Sequence, residues 1–170
     1  GGVPVTYKLS VSISRANNVE ADLLACATSD TYTLNNALPI TGTPSITGVS
    51  LSSNKLVLSS GASYVIEYSL QLYYSSQGHY GRVQWYNETD AVFVGNEAQV
   101  SQATTPGWGF IFARITRPTA RALILASDFG ANPTLTLYPR VTASSSSSAR
   151  THFSTPNLYA PPTVKILRIS

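Results

Sequence analysis

The sequence predicts an all-β fold, a two-sheet sandwich of jelly-roll type or a barrel, on three observations. Apolar and polar residues alternate with a period of two in one segment after another, as they must where a strand sends successive side chains to opposite faces. Charged residues make up only 11% of the chain, against roughly 25% in ordinary soluble domains. Polarity comes instead from Ser, Thr, Asn and Gln beside ten tyrosines, a composition suited to hydroxyl-rich β-structure. Turn signals separate eight or more such segments, with no long helical pattern between them.

Taken in order, residues 1–4, led by Gly1-Gly2, read as a linker, the end of a stalk or a remnant of cloning. Val5, Tyr7, Leu9, Val11 and Ile13 alternate with Thr6, Lys8, Ser10 and Ser12, which predicts a half-buried strand from Val5 to Ile13. Asn17 to Ala27 holds the only local hint of helix, with Val19, Leu23 and Leu24 near helical spacing, although Asn17, Asn18 and Asp22 favour a loop. Ser29 to Ser50 carries Asn35-Asn36, Pro39, Gly42, Pro44 and Gly48, and reads as loop with room for two short strands.

Lys55 to Leu58 is a predicted strand, turned by Ser59-Ser60-Gly61 into the longest alternating run of the chain. There Tyr64, Ile66, Tyr68, Leu70, Leu72 and Tyr74 line one face, and Val65, Glu67, Ser69, Gln71 and Tyr73 the other. Tyr68 and Leu70 are therefore expected in the core, and Glu67 and Gln71 outside it. After the polar loop Ser75 to His79, Arg82 to Tyr86 and Ala91 to Val94 form a hairpin about Asn87-Glu88-Thr89-Asp90, four residues that suit a tight reversal.

Glu97 to Gly107 reads as a polar connection, followed by strands at Trp108 to Thr116 and Ala120 to Ser127. Phe110 and Phe112 lie on one face of the first and Ile111, Ala113 and Ile115 on the other, which implies burial on both sides or a second subunit. Leu135 to Val141 is a further strand. Residues 142–162 read as a Ser/Pro-rich loop, where the serines Ser144 to Ser148 are expected to open a flexible or extended connection and Pro156, Pro161 and Pro162 to exclude helix and central strand. Thr163 to Ile169 closes the chain as a strand.

A single domain over 1–170 is expected, since 170 residues can remove roughly 70% of the unfolded surface from water without a metal or disulfide. The one cysteine, Cys26, has no intrachain partner and reads as a small buried hydrophobe. The net charge of +3 is dispersed, which argues against nucleic acid. No stretch approaches the roughly 18 apolar residues of a membrane helix, so a soluble chain without membrane insertion is expected.

Chemistry is sparse. His79 and His152 share no metal-ligand spacing, no Gly-x-Ser-x-Gly elbow occurs, and Asp128-Phe129-Gly130 lacks the companions of a kinase motif and reads as a turn at Gly130. Glu88 and Asp90 read as solvated turn acids, and Asn87-Glu88-Thr89, which also spells a glycosylation signal, reads as a plain turn. No catalytic residue, metal site or cofactor is predicted. What remains is aromatic: Tyr73, Tyr74, Tyr80, Trp85, Tyr86 and Trp108 lie at strand ends or beside loops, where amphipathic rings serve either packing or binding.

Three stretches, SLSSNKLVLSSGASYVIEYSLQLY, HYGRVQWYNETDAVFVGNEAQV and the late ILASDFG, together resemble the C1q- and tumour-necrosis-factor-like jelly-roll head of bacteriophage fibres and spikes. The likeness lies in their order: a short strand, a Ser-Ser-Gly turn where the family often has Pro-Ala-Gly, a Tyr-rich strand, and a hairpin with Tyr86-Asn87 and Thr89-Asp90. TVKILRIS fits the family's usual end on a central strand. The resemblance covers about half the chain, and the first forty or so residues and the segment between Val141 and Thr163 depart from it. It implies a C1q/TNF-like sandwich of two antiparallel sheets, assembled as a homotrimer at the tip of a virion fibre or spike. It also implies a host cell-surface glycan or protein as receptor, met outside the cell during attachment.

On that reading Tyr80, Trp108, Tyr86, Asn87 and Asp90 are the expected ligand contacts. Phe110, Phe112, Val164, Ile166, Leu167 and Ile169 are the expected trimer contacts, because a lone sandwich has only one inner face per sheet to hide them. The competing function is a structural virion jelly roll, a capsid or protruding domain whose work is self-assembly.

Overall fold

The computed structural model describes residues 20–26, 31–32, 34–69, 73–74, 80–101, 111–112, 118–144, 151–152 and 163–169, and side chains at 34–69, 81–99, 118–143 and 163–169. In chain order the strands are β1 Glu20–Cys26, β2 Thr31–Tyr32, β3 Ile40–Thr41, β4 Val49–Ser52, β5 Lys55–Ser59, β6 Ser63–Ser69 and β7 Tyr73–Tyr74. They continue with β8 Tyr80–Asn87, β9 Val92–Ser101, β10 Ile111–Phe112, β11 Thr119–Ile124, β12 Thr134–Ser144, β13 Thr151–His152 and β14 Thr163–Ile169. One 3-10 turn, Ala126–Phe129, is the sole helical element among the described residues.

The protein is an all-β sandwich. Sheet I runs β3-β1-β14-β6-β11 and sheet II runs β4-β5-β12-β8-β9, every pairing antiparallel, and four two-residue strands form a third set, β10-β7-β13-β2. The alternation read in the sequence accounts for the core. Tyr64, Ile66 and Tyr68 of β6 are buried, as are Ala120, Ala122 and Ile124 of β11 and Val164 and Ile166 of β14. They meet Leu56 and Leu58 of β5, Val83 and Trp85 of β8, and Leu135, Leu137 and Val141 of β12 in one cluster. Trp85 crosses the core and donates from Nε1 to the Ala120 carbonyl at 2.9 Å, so the largest core side chain keeps its polar atom satisfied.

Both long margins of the sandwich are joined. On one, β9 bulges opposite β8 between Val94 and Ala98, and Asn96 stands in for a strand partner: Nδ2 donates to the Thr119 carbonyl at 2.9 Å and Oδ1 accepts from the Arg121 amide at 2.9 Å. On the other, the Ile40 amide of β3 donates to the Asn54 carbonyl at 2.9 Å, in the turn between β4 and β5. That turn has Ser53 at φ 50° and Asn54 at φ 58°, the pair of left-handed residues that matches strand twist in a two-residue hairpin. Unpaired edges are thereby reduced.

Several expectations are met and others corrected. The strand expected at Lys55 to Leu58 is present and runs one residue further, to Ser59; the Ser-Ser-Gly turn, the hairpin about Asn87–Asp90 and Thr163–Ile169 stand as read, and Tyr68 is buried while Glu67 is half-buried. The helical hint at Asn17 to Ala27 gives way to strand β1, whose register against β14 and β3 supplies backbone bonds that a lone turn of helix lacks. The polar connection from Glu97 is instead the second half of β9, which continues to Ser101. β12 runs on to Ser144 and β13 occupies Thr151–His152, so residues 142–162 are not wholly loop and His152 is a strand residue. Ala120 to Ser127 ends as a strand at Ile124 and turns into the 3-10 segment, which drives Phe129 against Tyr64 at the mouth of the core, ring centroids 6.3 Å apart.

The strand expected at Val5–Ile13, the positions Leu70, Gln71, Leu72, His79, Trp108 and Phe110, the prolines Pro156, Pro161 and Pro162, and residues 1–4 lie outside the described residues, as do the side chains of Cys26, Tyr80, Phe112 and His152.

Candidate functional site: two exposed rows on opposite sheets

The register places an aromatic row on the outer face of sheet II. Phe93 of β9 pairs with Tyr86 of β8, and Tyr86 pairs with Tyr138 of β12. Residues directly opposite on neighbouring strands stand close enough for their rings to touch. Tyr86 and Phe93 meet edge to face with centroids 5.0 Å apart, and Tyr86 and Tyr138 at 5.6 Å. Cations lie on both ends: Lys55 Nζ sits 4.8 Å from the Tyr138 centroid, and the Arg140 guanidinium carbon sits 4.7 Å from that of Tyr86 and 5.6 Å from that of Phe93.

Exposure grades along the row. Tyr138 is only 8% exposed although it points away from the core, Tyr86 is half-buried, and Phe93 is 42% exposed. Lys55 pairs with Glu88 at 2.7 Å, a contact at the surface and hence a weak contributor to stability. Arg140 Nη2 donates to Asn35 Oδ1 at 3.1 Å, and Asn35 is held by its own amide on the Val141 carbonyl at 2.9 Å. The segment 35–38 thus serves as an extra strand beside β12, through Leu38 on the Pro139 carbonyl and the Ala37–Arg140 bridge. The proline ring nitrogen faces this short margin, where β12 lacks a full neighbour, so its missing N–H breaks no ladder with β8.

The outer face of sheet I carries a contrasting, aliphatic row. Leu123 of β11 opposes Val65 of β6, and Val65 opposes Leu167 of β14. Leu123 is 55% exposed; Val65 and Leu167 are half-buried. Leu125 at 45% and Ile169 at 37% extend the patch on the side of Ser63, whose Cα pairs with Ile169. On the other flank runs a charged row in which Arg121, Glu67 and Lys165 oppose one another, Arg121 Nε meeting Glu67 at 2.8 Å.

These rows redistribute the residues expected from sequence. Tyr86 is in the aromatic row. Asn87 is 4% exposed, donates through Nδ2 to Asp90 Oδ2 at 2.8 Å and accepts the Asp90 amide at 3.3 Å, so it is a turn lock and neither a ligand contact nor a glycan acceptor. Asp90 also accepts from Asn132 Nδ2 at 3.3 Å, which ties the turn to the approach to β12. Tyr80 begins β8 and Asn87 ends it, roughly 20 Å apart at strand rise, so Tyr80 and the hairpin turn belong to opposite ends of the sandwich.

Among the trimer candidates, Val164 and Ile166 are corrected: both are 0% exposed in a single chain and face sheet II in the core. Leu167 and Ile169 are on the outer side. Sequence reading missed Phe93, Tyr138 and Arg140 on one sheet and Leu123, Leu125 and Val65 on the other; only the cross-strand register joins them. Among the described residues no helix is long and apolar enough to cross a membrane, and no group of three metal-ligating side chains occurs. No family model matches the chain, and no curated protein matches it.

Proposed function

We propose that this chain is the jelly-roll head of a bacteriophage fibre or spike, a homotrimer that binds a host cell-surface receptor during adsorption. The observation that carries the reading is the segregation of exposed apolar residues into two rows on opposite sheets, one aliphatic and one aromatic with cations. A monomer gains nothing from either, whereas an assembling, ligand-binding head needs two separate faces. The aliphatic row on sheet I suits subunit contact, with Leu167 and Ile169 joined by Leu123, Leu125 and Val65. The aromatic row on sheet II then faces outward, where rigid rings offer contact area at low entropic cost.

The strand order supports the jelly-roll reading. The chain passes from β5 in sheet II to β6 in sheet I, back to β8 and β9, across to β11, back to β12, and ends on β14 at the centre of sheet I. Strands adjacent in the sheets are thus often distant in sequence, as in a double Greek key. The central position of β14 in sheet I is a further support for that reading. The test combines sedimentation of the purified chain at micromolar concentration with its adsorption to a panel of intact bacterial cells. A discrete trimer that adsorbs to some strains is expected. Large closed shells without adsorption would favour a structural virion jelly roll, and a monomer would remove the trimer.

A further inference from the structure

Among the described residues Arg140 is a cation without a carboxylate partner. Its hydrogen-bond partner, Asn35 Oδ1 at 3.1 Å, is neutral, and its buried Nε meets no acceptor among those residues. The neighbouring cation of the same face, Lys55, is neutralised by Glu88 at 2.7 Å, and Arg82 has Glu97 at 3.7 Å. Arg140 is also held in place, its guanidinium lying over the Tyr86 and Phe93 rings. A planar cation fixed by stacking loses little freedom when it meets a planar acid, and guanidinium geometry matches a carboxylate by two parallel bonds.

Resting on the receptor-binding reading, we propose that this face takes a saccharide bearing a carboxylate, with the acid on Arg140 and the C–H face of a sugar ring on Phe93. Phe93 remains 42% exposed with Arg140 in place, so apolar surface adjoins the cation. Aromatic rings accept the aliphatic C–H side of a sugar while its hydroxyls stay in water. An extended peptide is disfavoured: it would bind a sheet edge through free backbone groups, whereas this row lies on a sheet face, and the β9 margin beside it is tied to β11 through Asn96. One guanidinium without a carboxylate among the described residues of this face is also too little for a phosphate backbone, which requires a stripe of them.

The test titrates the full chain with oligogalacturonate and with α2,8-linked oligosialate, each beside its carboxyl methyl ester, which keeps the sugar and removes the charge. At least one acid oligomer should bind, its ester about tenfold or more weaker, since a hydrogen-bonded charge is being removed. Arg140→Gln should bring that ratio to about one with the melting temperature retained, and Phe93→Ala should weaken acid and ester alike. If Arg140→Gln does not fold, Arg140→Lys, which keeps the charge without the planar fork, should reduce the ratio without abolishing it. Equal binding of acid and ester, discrimination that survives Arg140→Gln, or no binding of either acid oligomer overturns the ligand class. Wild type that adsorbs to cells unaffected by Arg140→Gln overturns the ligand class alone; a chain that adsorbs to no strain of the panel overturns the receptor reading beneath it.

Discussion

At the residue scale the hairpin turn stores strain that a single substitution can release. Ala91 sits at φ 55°, where an L side chain costs about 1–2 kcal/mol and glycine does not. Ala91→Gly is therefore expected to raise stability by about 0.5–1 kcal/mol after its extra unfolded-state entropy, read as a higher urea midpoint at unchanged slope; a lower midpoint would mean that the Ala91 methyl has a packing role. Trp85→Phe should act oppositely. It leaves the Ala120 carbonyl without its donor in the core and opens space, a loss of about 2–4 kcal/mol. Asn87 illustrates what single residues conceal. Its identity announced a turn correctly, but an exposed ligand contact and a turn lock use the same amide, and only burial at 4% separates them.

At the element scale β6 provides the test of face assignment that the sequence invited. Ile66 is 0% exposed and Val65 half-buried on the other side, so Ile66→Ala should cost about 2–5 kcal/mol and Val65→Ala about 1 or less in the monomer. Comparable losses at both would show that the sheet is covered on both faces within one chain. The alternation of β6, β12 and β14 was legible because burial on one face imposes a period of two. β1 was not legible: Ala21, Leu23 and Leu24 carry no clean period, and pairing with β14 and β3 decides the conformation. The end of β9 was hidden for a related reason, since Gly95, Asn96 and Glu97 form a bulge whose polarity reads as loop. That bulge is a close fit. A Cβ on Gly95 would stand 2.7 Å from the Arg121 carbonyl carbon, whereas one on Gly61 would meet nothing within 4 Å; both positions have positive φ. Gly61→Ala should thus cost only the conformational strain, about 1–2 kcal/mol, and Gly95→Ala clearly more, because it also pushes β9 off β11. Equal melting temperatures for the two variants would show that the margin between the sheets yields freely.

At the scale of the whole molecule the fold class was predictable from composition and spacing, and the two outer rows were not. Phe93, Tyr86 and Tyr138 come from three strands, as do Leu123, Val65 and Leu167, and no local pattern records which residues a register will align. The inward and outward sides of β14 therefore separate folding from assembly. Ile166→Asp would place a carboxylate in the centre of the core, where desolvation costs several kcal/mol without a partner, and is expected to unfold the chain. Leu123→Asp alters a side chain that is 55% exposed and should leave the monomer's circular dichroism and melting almost unchanged. If sheet I is the subunit face, the same change brings like charges together out of water around the axis, and the chain should sediment as a monomer at concentrations where the wild type is a trimer. Adsorption to cells should then fall through lost avidity, while the intrinsic affinity of the sheet II face is kept. A Leu123→Asp chain that still sediments as a trimer would place the subunit contact on some other surface, and one that unfolds would show that the aliphatic row belongs to the core of the monomer.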